Sequence, residues 1–309
     1  MAKKRFKRFW RRLVSISALY FSLFLVKLLP LDSIYRISKF LAKIVYLVAG
    51  RHRCVAEEGL KIAFGDTIGS KQIKTIILGC FEESIKGALE TLVCCQCPAK
   101  IKEQISIKGS EYLEQALTRG KGAICVSAHF GNFPLLMVRL QFAGFPCAII
   151  LRPMRDENID RFLLKKIKFF GLESIYTKPA KACVDKALSF LKKNGIFSLQ
   201  LDQNFGSGRG VFVDFFGKQA ATATGPVVMA LRSKAAIMPV FIIRKEDNTQ
   251  EIIIEPEFVI EKKENFDETV KVNIAKLTKI IENYIRRYPA QWSWIHRRWK
   301  SRPASGEGH

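Results

Sequence analysis

The sequence predicts an α/β fold: a mostly parallel central sheet flanked by helices, with hydrophobic and amphipathic helices at the amino terminus. Two observations carry this. Short apolar runs bounded by Gly alternate with stretches of helical periodicity after residue 121, the pattern of strands joined by crossover helices. His129, Arg152 and Asp202 each stand where such a run ends, at the carboxyl ends of strands, where open α/β sheets place their sites. Three parts are expected: residues 1–50, a basic start and anchor helices; residues 51–300, the main domain; and residues 301–309, a small polar tail prone to fraying.

Taken in order, Lys3, Lys4, Arg5, Lys7, Arg8, Arg11 and Arg12 precede an apolar run from Leu13 to Val26, which Lys27 interrupts and Pro30 ends. A signal peptide starts this way too, but no small-residue cleavage site follows. The run is shorter than the ~20 residues of a spanning helix, although a snorkelling Lys27 extends it. It reads as a marginal spanning anchor or as a helix sunk part-way into one leaflet, with its basic residues on the cytoplasmic side. Ile34 to Val48 carries Arg36, Lys39 and Lys43 at helical spacing. Such an amphipathic helix either lies on an anionic surface or packs on the body.

In the body, Ile73, Ile76, Ile77, Phe81, Ile85, Leu89 and Leu92 predict a helix over residues 71–93. Gly122 to His129 predicts a buried strand and Phe133 to Ala143 a helix. Phe145 to Leu151 (strand), Asn158 to Phe170 (helix), Ala180 to Lys193 (helix) and Gly195 to Leu201 (strand) continue the alternation. Gly210 to Phe216 predicts a strand and Thr224 to Lys234 a helix. Ala236 to Arg244 and Glu251 to Ile260 predict strands, and Glu268 to Arg287 a long helix.

Fifty-one Lys and Arg against 28 Asp and Glu give a net charge of +23. That excess asks for an anionic partner: nucleic acid, an anionic membrane surface or a phosphorylated lipid. The 23 Phe and a mean hydropathy of +0.05 favour lipid. Trp292, Trp294, Arg297, Arg298, Trp299 and Lys300 mix aromatic and basic side chains as single-strand binders do. No helix-turn-helix, zinc-finger or RNA-binding motif accompanies them, and a membrane interface suits them equally, so no nucleic-acid partner is expected. Among the eight Cys, Cys94-Cys95-Gln96-Cys97 is the one cluster, and it lacks a second ligand pair at zinc spacing. They read as buried, reduced thiols rather than as a metal site.

The segment Ser127-Ala-His129-Phe-Gly-Asn-Phe-Pro134 sets an imidazole at a strand end, with Gly131 behind it and a helix beginning at Asn132. Asn132 is placed to cap that helix. A His so placed acts as a general base on a hydroxyl, with nearby backbone amides as oxyanion donors, or else is a structural His at a turn.

His129-Phe-Gly-Asn-Phe resembles the motif of the bacterial lipid A biosynthesis acyltransferases, within the wider lysophospholipid acyltransferase group. Leu151-Arg152-Pro153 with Asn158 and Asp160-Arg161 is similar to the family's second block. Leu201-Asp202-Gln203-Asn204 with Gly210 to Gly217 is similar to its third, which Thr222-Ala-Thr224-Gly225 continues. Gln291-Trp292-Ser-Trp294-Ile-His296-Arg297-Arg298-Trp299 resembles its carboxyl-terminal signature. The likeness runs along nearly the whole chain, with the blocks in family order.

The resemblance implies a glycerolipid acyltransferase-like fold, with residues 51–300 as the catalytic domain. It also implies transfer of a fatty acyl chain from an acyl carrier protein thioester to a hydroxyl of a phosphorylated glycolipid, without metal or cofactor. The expected setting is the bacterial inner membrane, with the catalytic domain facing the cytoplasm. His129 is the expected catalytic base. Phe130, Gly131, Asn132, Phe133, Arg152, Asp160, Asp202, Gln203, Arg209 and Thr224 are the expected substrate-binding positions, with Arg152 and Arg209 as anion contacts and Asp202 shaping the pocket.

One departure stands out. The family's motif places an acid five residues after the His, and here that residue is Pro134. Asp202 or Asp160 would then have to orient His129, or a backbone carbonyl would, or the chain binds lipid without transferring acyl groups. A different acceptor, such as a phosphatidylinositol mannoside, a glycerophospholipid or an aminolipid, is the other alternative.

Overall fold

The structure is a computed structural model and describes residues 17, 21–154, 156–206, 208 and 210–303. The basic stretch from Lys3 to Arg12, most of the apolar run after it, Arg209 and the end of the tail lie outside the described residues. Residues 21–28 are helical. Then come α1 (Leu31–Val48), α2 (Gly50–Phe64) and α3 (Ser70–Gln96). Helix α3 buries Ile73, Ile76, Ile77, Cys80 and Phe81 at the three-and-four spacing of one helical face. Helix α1 buries Ile34, Ser38 and Ala42, one residue per turn, and its main packing partner is α3. Its other side leaves Phe40, Ile44, Leu47 and Val48 exposed. Among the described residues no helix is long and apolar enough to cross a membrane.

A seven-stranded sheet forms the centre, in the order β1-β9-β8-β2-β5-β3-β4. Its strands are β1 (Ile105–Lys108), β2 (Ala123–Ser127), β3 (Cys147–Leu151), β4 (Glu173–Tyr176), β5 (Ile196–Gln200), β8 (Ala236–Arg244) and β9 (Gln250–Ile254). The five strands from β8 to β4 are parallel. Strand β9 reverses against β8, and β1 runs with β9. The sheet is therefore mixed but mostly parallel.

Helices cover both faces, so the central strands are buried throughout. Ile124 and Val126 of β2 point into one core, and Ala123 and Cys125 into the other, as the two-residue period of a strand requires. The crossovers are α6 (Phe133–Gln141) from β2 to β3, α7 (Glu157–Phe169) from β3 to β4, α8 (Ala180–Lys192) from β4 to β5, and α9 (Gly225–Ser233) before β8. Short α4 (Ala99–Gln104) and α5 (Ser110–Leu117) flank β1, and α10 (Phe266–Arg287) closes the body.

Several expectations need correction. The predicted strand over 210–216 is β6 (Val211–Phe215), which pairs antiparallel with β7 (Lys218–Thr222) as a separate hairpin, outside the central sheet. The predicted strand over 251–260 ends at Ile254, because Pro256 has no N–H to continue a ladder. The tail does not fray from its first residue: Ser301 exchanges hydrogen bonds with the Asn204 side chain. All eight Cys are free, but Cys54 and Cys97 are exposed.

Candidate active site

Strands β2 and β5 are parallel neighbours, with Ser127 opposite Gln200. His129 and Asp202 both lie two residues beyond that level, and so the register alone brings them side by side. Asp202 Oδ1 lies 2.9 Å from His129 Nδ1. Its Oδ2 accepts from the His129 backbone N–H at 2.9 Å and from Trp292 Nε1 at 2.8 Å. Asp202 is 2% exposed, against 25% for the His129 side chain.

Burial pushes the Asp202 carboxyl up, but the imidazole and the hydrogen bonds from His129 and Trp292 outweigh it and hold the group below its usual range. An ionised carboxylate only accepts, so the proton of a neutral His129 sits on Nδ1, and Nε2 is the free lone pair. The Phe133 ring meets the imidazole edge-on, with centroids 4.8 Å apart.

The loop that carries His129 is fixed at every residue. The Phe130 N–H donates to Ala128 O at 2.8 Å and the Gly131 N–H to Gln291 O at 2.9 Å. With the His129 N–H on Asp202, these three amides are committed and are not the oxyanion donors expected of them. Gly131 has φ +53°, and a Cβ there would lie 2.3 Å from Ile242 O, so only Gly fits. Asn132 does not cap α6. It is 1% exposed, donates to Glu90 at 3.0 Å and accepts from Thr91.

Asn132 thereby joins the loop to a buried ionic network. Arg244, at the end of β8, grips both Glu90 oxygens at 2.6 and 2.8 Å and donates from Nε to Glu83 at 2.7 Å. Gln250 adds a bond to Glu90. Glu83 and Glu90 stand two turns apart on α3, so the network ties α3, β8, β9 and the His129 loop together.

The other predicted positions fall into different places. Phe130 is 1% exposed and packs edge-on against Phe241, Tyr284 and Tyr288, as part of the hydrophobic core. Asp160 accepts from the Met154 N–H and the Tyr176 hydroxyl. It braces the turn after β3 and makes no bond to His129. Arg152 is exposed at the neighbouring strand end and close enough for its charge to act on His296. The Gln203 carbonyl accepts from Arg298. Thr224 begins α9 without a side-chain cap. Phe215 and Phe216 pack among Trp292, Trp294 and Trp299. Among the described residues no cluster of His, Cys, Asp and Glu is arranged to hold a metal ion.

Trp292, His296 and Arg298 had no individual role in the sequence. The segment after α10 returns along the strand ends, and the Ser293 N–H donates to His129 O. His296 Nε2 accepts from the Asn204 backbone N–H at 3.0 Å. Burial keeps His296 below its ordinary pKa; Asp202 opposes this, and His129, Arg298 and Arg152 add to it. The carboxyl-terminal signature and its mix of aromatic and basic side chains marked these residues, but said nothing of what they touch.

The family model described as "Bacterial lipid A biosynthesis acyltransferase" matches residues 3–301. The "Lipid A biosynthesis lauroyltransferase" of Escherichia coli (strain K12) is 27% identical over 302 residues, 96% of this chain and 93% of that protein. The "Lipid A biosynthesis palmitoleoyltransferase" of the same organism is 26% identical over 257 residues, 82% of this chain and 80% of that one. The "Phosphatidylinositol mannoside acyltransferase" of Mycolicibacterium smegmatis (strain ATCC 700084 / mc(2)155) is 23% identical over 205 residues, 65% of this chain and 64% of that one.

Proposed function

The chain belongs to the bacterial lipid A biosynthesis acyltransferase family, and from that premise we propose that it moves a fatty acyl chain from an acyl carrier protein thioester to a hydroxyl of a phosphorylated glycolipid, with His129 as general base. The observation that carries this reading is the His129–Asp202 pair at adjacent strand ends. It supplies the carboxylate that Pro134 cannot. Asp202 fixes the Nδ1–H tautomer and favours the imidazolium as it forms.

In the proposed step, His129 Nε2 takes the proton of the acceptor hydroxyl while its oxygen attacks the thioester carbonyl. The tetrahedral intermediate collapses, the ester forms and the C–S bond breaks. The proton on Nε2 passes to the departing thiolate, leaving the carrier protein's free thiol and a neutral imidazole. The first N–H groups of a helix lack intrahelical acceptors. Those that open α6, at Asn132 and Phe133, are the donors that remain in this loop for the oxyanion. The +23 charge and the exposed apolar side of α1 support work at an anionic membrane, for which the cytoplasmic side of the inner membrane is the proposed location.

The test is direct. Purified protein receives acyl carrier protein thioester and a panel of glycolipid acceptors, beside a His129→Ala control. Transfer to a phosphorylated glycolipid that the substitution removes is the expected outcome. Transfer that survives unchanged in His129→Ala sinks the base assignment, and wild type that acylates none of the panel sinks the enzymatic reading. The likeness to the phosphatidylinositol mannoside enzyme puts that glycolipid in the panel as the second acceptor class.

A further inference from the structure

A cavity of about 260 Å³ lies between α2 and the segment after α10. His296, Arg297, Arg298, Lys300, Arg302 and Glu58 supply its ionisable lining. Four of these six are permanent cations and one is a carboxylate. Arg297, Lys300 and Arg302 are exposed, and among the described residues their side chains form no ion pair or hydrogen bond.

Arg298 differs from them. It is fully buried, and its Nη1 donates to Gln203 O and Ala221 O and its Nη2 to Thr222. Its Nε–H is one of three buried side-chain polar atoms without a partner among the described residues. Burial pushes this guanidinium down to about 10, with Asp202 as the opposing carboxylate. A buried cation and three free ones round one cavity repel each other until an anion enters. One lining residue links the cavity to the strand ends: His296 is bonded to Asn204, two residues after Asp202, and lies close enough to feel the charges of Asp202 and His129.

We propose that this cavity is a phosphoryl-binding subsite, where Arg297, Lys300 and Arg302 hold a phosphate group of a substrate engaged at His129. Guanidinium forks match phosphate oxygens in pairs, and lysine adds a point charge. The proposal rests on the acyl-transfer reading for its two sources of phosphate: the acceptor headgroup, or the phosphodiester in the prosthetic arm of an acyl carrier protein.

The first test needs no turnover. Full-length protein in detergent is titrated calorimetrically with inorganic phosphate at constant ionic strength, against a combined Arg297→Ala, Lys300→Ala, Arg302→Ala variant. Saturable binding that weakens at least ~10-fold in the variant is expected, because three charge-assisted contacts are removed. The three side chains are free and exposed, so an unchanged circular dichroism spectrum and Tm are expected too. Arg298→Lys, which keeps the buried charge but loses the fork, gives a smaller weakening. Wild type that does not bind phosphate, or a combined variant that binds it as well as wild type, overturns the proposal whether or not acyl transfer is found.

The kinetic test identifies the source. A KM raised for the phosphorylated acceptor but not for its dephosphorylated form, with kcat kept, assigns the subsite to the headgroup. A KM raised for acyl carrier protein but not for an acyl-pantetheine lacking phosphate assigns it to the donor. If both KM values stay at wild type while transfer proceeds, the cavity has no part in substrate binding and the proposal fails.

Discussion

His129 is held from two sides: Asp202 takes Nδ1–H and the backbone N–H, and the Ser293 N–H takes the carbonyl. Asp202→Asn keeps the shape but offers an amide where a carboxylate stood, and it favours the wrong tautomer. In a protease triad such a change costs about 10⁴-fold in kcat; a drop of ~10²–10⁴-fold is expected here, with KM nearly unchanged, in steady-state assays. Pro134→Glu tests the converse. Residue 134 is exposed in the first turn of α6, and Nδ1 is already taken, so no gain in kcat is expected.

His296 gives a pH signature. Its folded pKa lies below the ordinary value, so the unfolded chain binds a proton that the folded chain resists. Stability from this residue is whole above about pH 6.5 and declines as pH falls into the window below it. The carboxyl of Asp202, held low, acts in the same sense at more acid pH, where its stabilisation is lost as pH drops through the folded value. Wild-type Tm should therefore fall faster than that of His296→Gln between about pH 7 and 5, followed by scanning calorimetry.

Among the elements, α3 does more than cover the sheet. Its Glu83 and Glu90 hold Arg244 of β8, and Glu90 holds Asn132. Burial works against the Arg244 charge, and the bonds and charges of Glu90 and Glu83 more than offset it. Glu90→Leu would leave a buried guanidinium short of its main partner, at about 3–5 kcal/mol. A large fall in denaturation midpoint is expected, and Glu90→Gln, which keeps a hydrogen-bond acceptor, should recover part of it. Gly131→Ala forces a Cβ onto Ile242 O, so it should lower both Tm and activity by displacing the loop from β8.

Over the whole molecule, charge and apolar exposure point the same way. Phe21, Phe24, Leu28, Phe40, Leu47 and Val48 are each at least 60% exposed, on the amino-terminal helices, and Arg36, Lys39 and Lys43 stand on the outer side of α1. Burying one such side chain yields roughly 1.5–3 kcal/mol. Phe40→Asp with Leu47→Asp should therefore weaken binding to vesicles containing anionic lipid by at least ~100-fold. Sedimentation of the vesicles reads this, and raised salt should weaken the wild type through its basic residues. Acylation of a detergent-dispersed acceptor should survive the double substitution.

Periodicity and Gly boundaries determined the α/β class and nearly all the strands and helices between Ala123 and Arg244, because those signals are local. The motif marked His129 for the same reason. Strands β1, β4 and β7 (Ile-Ser-Ile-Lys, Glu-Ser-Ile-Tyr and Lys-Gln-Ala-Ala-Thr) mix polar with apolar residues and so present no apolar run to read. The sequence offered Asp202 as one of several partners for His129 but could not choose among them, since 73 residues separate the two and only the register of β2 on β5 makes them neighbours. The tertiary structure likewise decided that Phe130 is core, that Asn132 serves α3 rather than its own helix, and that Trp292, His296 and Arg298 return to the strand ends. A sequence encodes local preference directly, whereas contacts across the sheet depend on how every intervening element packs.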